Sequence, residues 1–138
     1  MEVEMEQRQM SISTKALVIK ALILVCVITL AACASPQIYH RQLVSLNKGM
    51  TEAQASSSLQ LTPLSTYSTS VGDTAYTFQR YYLNNGMNRD LYLLCFESSK
   101  TEPGKLKYWG YIEEFRRYPD ARINQALENV LLEIRASQ

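Results

Sequence analysis

Thr74-Ala75-Tyr76-Thr77-Phe78-Gln79-Arg80-Tyr81-Tyr82-Leu83-Asn84-Asn85-Gly86 has a period of two. Tyr76, Phe78, Arg80 and Tyr82 point one way, and Ala75, Thr77, Gln79 and Tyr81 the other, which is the pattern of a β-strand. Asn84-Asn85-Gly86 then reads as a turn, because Asn and Gly tolerate the positive φ that hairpins demand. Arg89 to Glu97 is a second strand, and its apolar run Leu91-Tyr92-Leu93-Leu94-Cys95-Phe96 places it centrally. Pro103-Gly104 marks the next turn, and Lys105 to Ile112 forms a third strand. Short connections make the three an antiparallel meander.

Working outward, Leu64 to Asp73 is rich in Ser and Thr, ends in Gly72-Asp73 and reads as a surface loop. Before it, Lys48-Gly49 is a turn, and Thr51 with Gln54 three residues on has the capping-box pattern of a helix start. That helix runs over Glu52 to Gln60 with a thin apolar face of Ala53, Ala55 and Leu59, and Pro63 stops it. Met50 in front is placed to act as a hydrophobic staple. Gln37 to Leu46 is weakly helical, anchored by Ile38, Leu43, Val44 and Leu46. On the far side, Glu113 to Tyr118 reads as a charged connector. Pro119-Asp120 opens a helix in which Ile123, Ala126, Leu127, Val130, Leu131 and Ile134 form one amphipathic stripe. The stripe packs on the sheet; a partner helix or a membrane surface is the alternative. The expected fold class is α+β: a two-layer sandwich with short N-terminal helical segments, a three-stranded antiparallel meander and a C-terminal amphipathic helix.

The N-terminal third has a different character. Lys15 and Lys20 precede the apolar core Ala21 to Leu30, followed by the small residues Ala31 and Ala32 and then Cys33. A charged n-region, an apolar core of secretory length and small residues at the cut make a signal peptide. Translation from Met10 would give it a conventional n-region. A transmembrane helix over Ala16 to Ala34 is the alternative, and Lys20 inside the span disfavours it. The run Leu30-Ala31-Ala32-Cys33 resembles the bacterial lipobox, which implies cleavage before Cys33 and diacylation of its sulfur. The domain organisation expected is a signal peptide over 1–32, a tether over 33–47 and one α+β domain over 48–138.

Removing the first 32 of 138 residues leaves 106, the size of one small domain. Eleven Lys and Arg then face ten Asp and Glu, so no basic excess points to nucleic acid. Of the three cysteines, Cys26 leaves with the signal and Cys33 takes the lipid. Cys95 alone remains, so no internal disulfide forms in an oxidising compartment. It reads as a buried small apolar residue; an intermolecular disulfide or redox role is the alternative.

The sequence offers no enzymatic site and no cofactor site. His40 is the only histidine, and it sits in the expected tether. There is no His or Cys cluster with metal-ligand spacing, no phosphate-binding Gly-rich loop, and no credible Ser-His-acid set. Glu113-Glu114 is followed by Arg116-Arg117 and reads as a charge-balanced bend. The remaining constellation is Lys107 to Asp120, which holds the only Trp and four more aromatics. Alternation puts Lys107, Trp109 and Tyr111 on one face of the strand and Leu106, Tyr108 and Ile112 on the other. Trp109, Tyr111, Phe115, Arg116 and Arg117 are therefore the candidate partner-binding residues, since aromatics with Arg are the composition of an interface hot spot. Core packing of the segment is the competing reading. Gly110 fits a bulge or a close backbone approach.

Leu46-Asn47-Lys48-Gly49-Met50-Thr51-Glu52-Ala53-Gln54 resembles the helix start of the SmpA/OmlA (BamE-like) family of small outer-membrane lipoproteins. Tyr76-Thr77-Phe78 and Leu93-Leu94-Cys95-Phe96-Glu97 resemble the strand motifs that follow in that family. The family's Gly-x-Pro turn is replaced here by Leu59-Gln60-Leu61-Thr62-Pro63. The resemblance implies an outer-membrane, periplasm-facing lipoprotein anchored through Cys33 that binds an envelope protein without catalysis, in outer-membrane assembly or envelope integrity. Ala34, in place of the Asp that retains such proteins in the inner membrane, agrees with the outer membrane. The fold is also similar to one repeat of the β-lactamase-inhibitor protein, which implies an inhibitor or ligand-binding lipoprotein as the alternative.

Overall fold

A computed structural model describes residues 13–21 and 36–137. Residues 13–21 are helical, and no helix among the described residues is long and apolar enough to cross a membrane. The fold proper occupies the compact unit Pro36–Gln138. It contains α1 (His40–Leu43), α2 (Glu52–Leu59), β1 (Ser65–Val71), β2 (Thr74–Asn85), β3 (Asn88–Ser98), β4 (Lys105–Gly110), α3 (Ile112–Arg117) and α4 (Ala121–Ala136). The class is α+β, as expected.

The sheet has four antiparallel strands in the order β1-β2-β3-β4, not three. The extra strand is the Ser/Thr-rich segment that reads as a loop in the sequence. Tyr67 on β1 stands opposite Phe78 and Thr69 opposite Tyr76, so β1 covers the flank of β2 that would otherwise be open. Gly72 adopts φ 63°, and Gly72-Asp73 is the two-residue loop between the paired residues Val71 and Thr74. A Gly with positive φ at the first loop position is the chemistry of a type II′ hairpin. The same device recurs one turn later. Asn85 pairs with Asn88 and Gly86 has φ 71°, so the β2–β3 turn is Gly86-Met87, one residue beyond the Asn-Gly step.

Helices cover both faces of the sheet, so the expected two-layer sandwich gives way to helices above and below. The cause is in β2 and β3, whose odd and even residues are both buried. On one face Tyr76, Phe78, Leu93 and Cys95 pack with Phe115 and the whole α4 stripe. On the other, Tyr81, Leu83, Leu94, Phe96 and Leu106 pack with Ile38, Leu46, Ala55 and Leu59. Residues 36–47, expected as tether, are thus part of the fold. Ile38 is fully buried and bridges Leu83 in parallel, with its N–H donating to the Tyr82 carbonyl at 2.9 Å.

Local signals explain the helix ends. The Thr51 hydroxyl accepts from the Gln54 N–H at 3.2 Å and the Thr51 N–H donates to Gln54 Oε1 at 2.9 Å, a closed capping box. At the other end of α2, Gln60 is left-handed at φ 54°, a conformation that suits Gly. Asp120 caps α4, accepting from the N–H groups of Arg122 at 3.0 Å and Ile123 at 3.4 Å. The segment expected as a charged connector is the helix α3. Ile112 and Phe115 give it an apolar side, and the Tyr111 N–H donates to Glu114 Oε2 at 2.8 Å. Acids in its first turn and arginines in its last suit the helix dipole.

Candidate functional site

The aromatic segment Lys107 to Asp120 is divided by the sheet. The register between β3 and β4 shifts between Cys95 and Phe96: Cys95 pairs with Tyr108 and Phe96 with Leu106, so Lys107 is the extra residue of a bulge. A bulge resets the alternation. Leu106 and Tyr108, expected on one face, lie on opposite faces: Leu106 joins the core under α2, and Tyr108 packs with the core under α4.

Phe115 does not belong to a surface. It is fully buried, with its ring edge-on to Phe78 at 5.8 Å and to Tyr108 at 4.8 Å. Tyr108 in turn stacks on Tyr118 at 4.1 Å. These four rings form the aromatic end of the core beneath α4. In the sequence Phe115 is legible as an aromatic next to arginines, but its burial follows from the helical turn of α3, which a connector does not supply.

Trp109 and Tyr111 lie on the opposite side. Trp109 stands across from Leu94, and both aromatics pack only partly against the core under α1 and α2. Tyr111 meets Tyr92 edge-on at 5.2 Å. Burial, and the carboxylates of Asp90 and Glu114 nearby, push the Tyr111 phenol above its ordinary range. Gly110 between them is a close approach, as its sequence suggests: a Cβ there would meet the Glu114 carboxylate at 2.5 Å. Glycine lets Glu114 reach back to the Tyr111 amide, and so fixes the corner between β4 and α3.

The two arginines also part company. Arg116 is held by Glu113 at 2.6 Å and by Glu128 of α4 at 3.6 Å. Arg117 is exposed and has no acidic partner among the described residues. The structure therefore brings Trp109 and Tyr111 to one partly open surface, buries Phe115 in the core, pairs Arg116 with two acids at the surface, and leaves Arg117 in solvent. Leu30, Ala31, Ala32 and Cys33 lie outside the described residues.

Shallow depressions open beside α1 and α2. One, of about 610 Å³, has Lys48, Met50, Ala53, Gln54 and Ser57 in its lining. Another, of about 490 Å³, has Gln37, Tyr39, Arg41, Gln42 and Ser45. Neither lining holds an acid or an imidazole to move a proton. His40 is exposed at the start of α1. Among the described residues no group of three His, Cys, Asp or Glu could hold a metal ion.

The buried polar residues Gln79 and Arg80, 4% and 9% exposed, escape a reading of the sequence. Gln79 Nε2 donates to Glu52 Oε2 at 3.1 Å and its Oε1 accepts from the Tyr81 hydroxyl at 3.1 Å. This chain of bonds ties α2 to the sheet. Arg80 donates to the Ser137 hydroxyl at 2.8 Å, and Ser137 also bonds Tyr67 at 2.7 Å. Burial pushes the Tyr67 phenol up, but its bonds to Ser137 and Ser65 and the Arg80 charge outweigh that and lower it. A cation near the last carbonyls of α4 is well placed against the helix dipole. Cys95 is fully buried, and burial pushes its thiol up, away from the reactive thiolate.

No protein-family model, no curated protein and no solved structure matches this chain.

Proposed function

We propose that this chain is a lipid-anchored outer-membrane lipoprotein, facing the periplasm, whose α+β domain is a non-enzymatic binding module for another envelope protein. The observation that carries the proposal is Leu30-Ala31-Ala32-Cys33 behind a signal-length apolar core. The domain begins at Pro36, so cleavage before Cys33 leaves the fold whole and puts the lipid a few residues from it. The kinship with the SmpA/OmlA family is part of the same proposal. Its support is the Gly49-Met50-Thr51 motif, where the capping box of α2 forms.

The binding surface is assigned to Trp109, Tyr111 and Arg117. Two partly buried aromatics and an arginine with no acidic partner among the described residues have the composition of an interface anchor. The depressions along α1 and α2 offer hydroxyls and amides for a polar rim. The test of the anchor is metabolic labelling with a palmitate analogue and membrane fractionation of the wild type and of Cys33→Ser. The wild type should carry label in the outer-membrane fraction, and the variant should lose both label and membrane association. Label retained by Cys33→Ser, or none in the wild type, contradicts the assignment.

A further inference from the structure

The domain is entered at one end of the sheet. The Ile38 N–H donates to the Tyr82 carbonyl at 2.9 Å, and the Ile38 carbonyl accepts from the Asn84 N–H at 2.8 Å. Asn84 Nδ2 also donates to Gln37 Oε1 at 3.0 Å. These bonds fix residues 37 and 38 beside the last residues of β2, just before the Gly86-Met87 turn. Cys33 is five residues before Ile38. A lipid on Cys33 therefore keeps Ile38 within about 18 Å of the bilayer surface, the reach of five extended residues. The other end of β2 is farther away than that. Thr74 is nine residues from Leu83, about 30 Å along an extended strand. The domain cannot stand on its Gly72-Asp73 end, because that would lift Ile38 beyond the reach of the tether.

The two ends also differ in what they show to solvent. At the Gly86-Met87 end Met87 is fully exposed, and Tyr39, next to Ile38, is half-exposed. The Arg89 guanidinium lies 5.0 Å from the centre of the Tyr82 ring, and that of Arg41 lies 5.6 Å from the Tyr39 ring. Neither arginine has an acidic partner among the described residues. Asp90, the acid of the hairpin, accepts from Asn85 Nδ2 at 3.1 Å. An exposed apolar tip with tyrosines and unpaired arginines behind it suits a membrane interface: rings sit at the level of the headgroups, and guanidinium groups reach their phosphates. The opposite end is polar. There Lys100 pairs with Asp73 at 3.8 Å, Glu102 is exposed, and no large apolar side chain among the described residues is exposed.

We propose that the β2–β3 hairpin is the membrane-facing tip of the domain. Met87 enters the interface of the same lipid surface that holds Cys33, and Arg41 and Arg89 meet its headgroup phosphates. The occupant follows from the short tether together with the chemistry of the end it leaves within reach. This contact rests on the lipidation of Cys33 proposed above and adds an orientation to it. A flexible lipid tether alone lets the domain tumble, whereas a second point of contact fixes which surfaces turn away from the membrane.

The test uses the full chain, purified after labelling with a palmitate analogue and reconstituted into phosphatidylcholine vesicles. An environment-sensitive fluorophore is attached to Met87→Cys. The control is Ser99→Cys, exposed just beyond the end of β3 at the opposite end; Cys95 is buried and does not compete for the dye. The dye on Met87→Cys should shift to the blue and lose most of its emission when the vesicles carry a brominated lipid, and the dye on Ser99→Cys should do neither. Adding Arg41→Glu and Arg89→Glu to Met87→Cys should reverse the shift while the palmitate label is kept. In a palmitate-labelled chain, two dyes that both stay in water, two that are quenched alike, or a shift that survives the paired Glu substitutions would each overturn the membrane-facing tip and leave the anchor standing. A chain that carries no palmitate label overturns both.

Discussion

The two faces of the sheet are built from the same strands but from different chemistry. Beneath α4 the contacts are mostly apolar: Phe78, Leu93, Cys95 and Phe115 meet a stripe of six aliphatic residues from one 16-residue helix, and the polar cluster of Arg80, Tyr67 and Ser137 sits at the helix end. Beneath α1 and α2 the helices are 4 and 8 residues long, and a polar chain of Glu52, Gln79 and Tyr81 runs through the contact. Burial scales with apolar area, and both faces bury it, with twelve of the described residues in the core beneath α4 and ten in the other. It is on the second face that Trp109 and Tyr111 stay partly open. A small domain can keep an adaptable surface on one face while both faces bury a core.

Substitutions on each face put a scale on that difference. The largest effect is expected for Phe115→Ala, which empties a buried aromatic site and should cost about 3–5 kcal/mol. Thermal or urea unfolding reads this directly, and a loss no larger than that of a surface change would mean that the α4 face is not the main core. On the other face Gln79→Ala removes the link between the half-buried Glu52 carboxylate and the Tyr81 hydroxyl. Its expected cost is about 1 kcal/mol, the net worth of a typical hydrogen bond. If Gln79→Ala costs as much as Phe115→Ala, the two faces are not divided in this way.

Alkaline pH reaches both faces, Tyr76 and Tyr108 on one and Tyr81 and Tyr92 on the other. Burial, then the Glu97 carboxylate, pushes Tyr76 up to about 12, and burial raises Tyr81, Tyr92 and Tyr108 as well. A phenol whose folded value lies above its unfolded value of about 10 contributes fully below that pH. Its contribution is lost as pH climbs toward the folded value, because the unfolded chain gives up its proton first. Stability should therefore hold to about pH 9 and fall between about 10 and 12. Tyr76→Phe should flatten that fall, and tyrosinate absorbance followed alongside unfolding checks it. The smallest effect is local to α2: Gln60→Gly relieves a left-handed non-glycine residue and should stabilise by about 1 kcal/mol, read as a small rise in melting temperature.

The sequence makes some of this division legible and hides the rest. The α4 stripe, the Thr51–Gln54 box and the Asp120 cap are short-range signals, readable because each depends on residues within a turn or two. The period-two run of β2 is equally plain. β1 is hidden because Ser and Thr suggest a loop, although Gly72-Asp73 between Thr-rich runs is itself a hairpin signal. The bulge at Lys107 is invisible, because a single extra residue changes no composition yet reverses every side chain before it. Phe115 looks like a surface residue until helix α3 turns it inward. Gln79 and Arg80 look like the polar positions of a strand, since nothing local says that α2 and the end of α4 will cover them. Cys95 is legible as buried from its apolar neighbours, and it is buried.

In the proposed function the aromatic segment is split, with Phe115 serving the fold and Trp109 serving a partner. The measurement that tests this most directly is quantitative co-purification of envelope proteins with the lipidated wild type and with Trp109→Ala, each checked for its melting temperature. The expected result is a stoichiometric partner that accompanies the wild type and is lost from Trp109→Ala while the domain stays folded. A partner retained equally by both chains, or no stoichiometric partner with either, would contradict it.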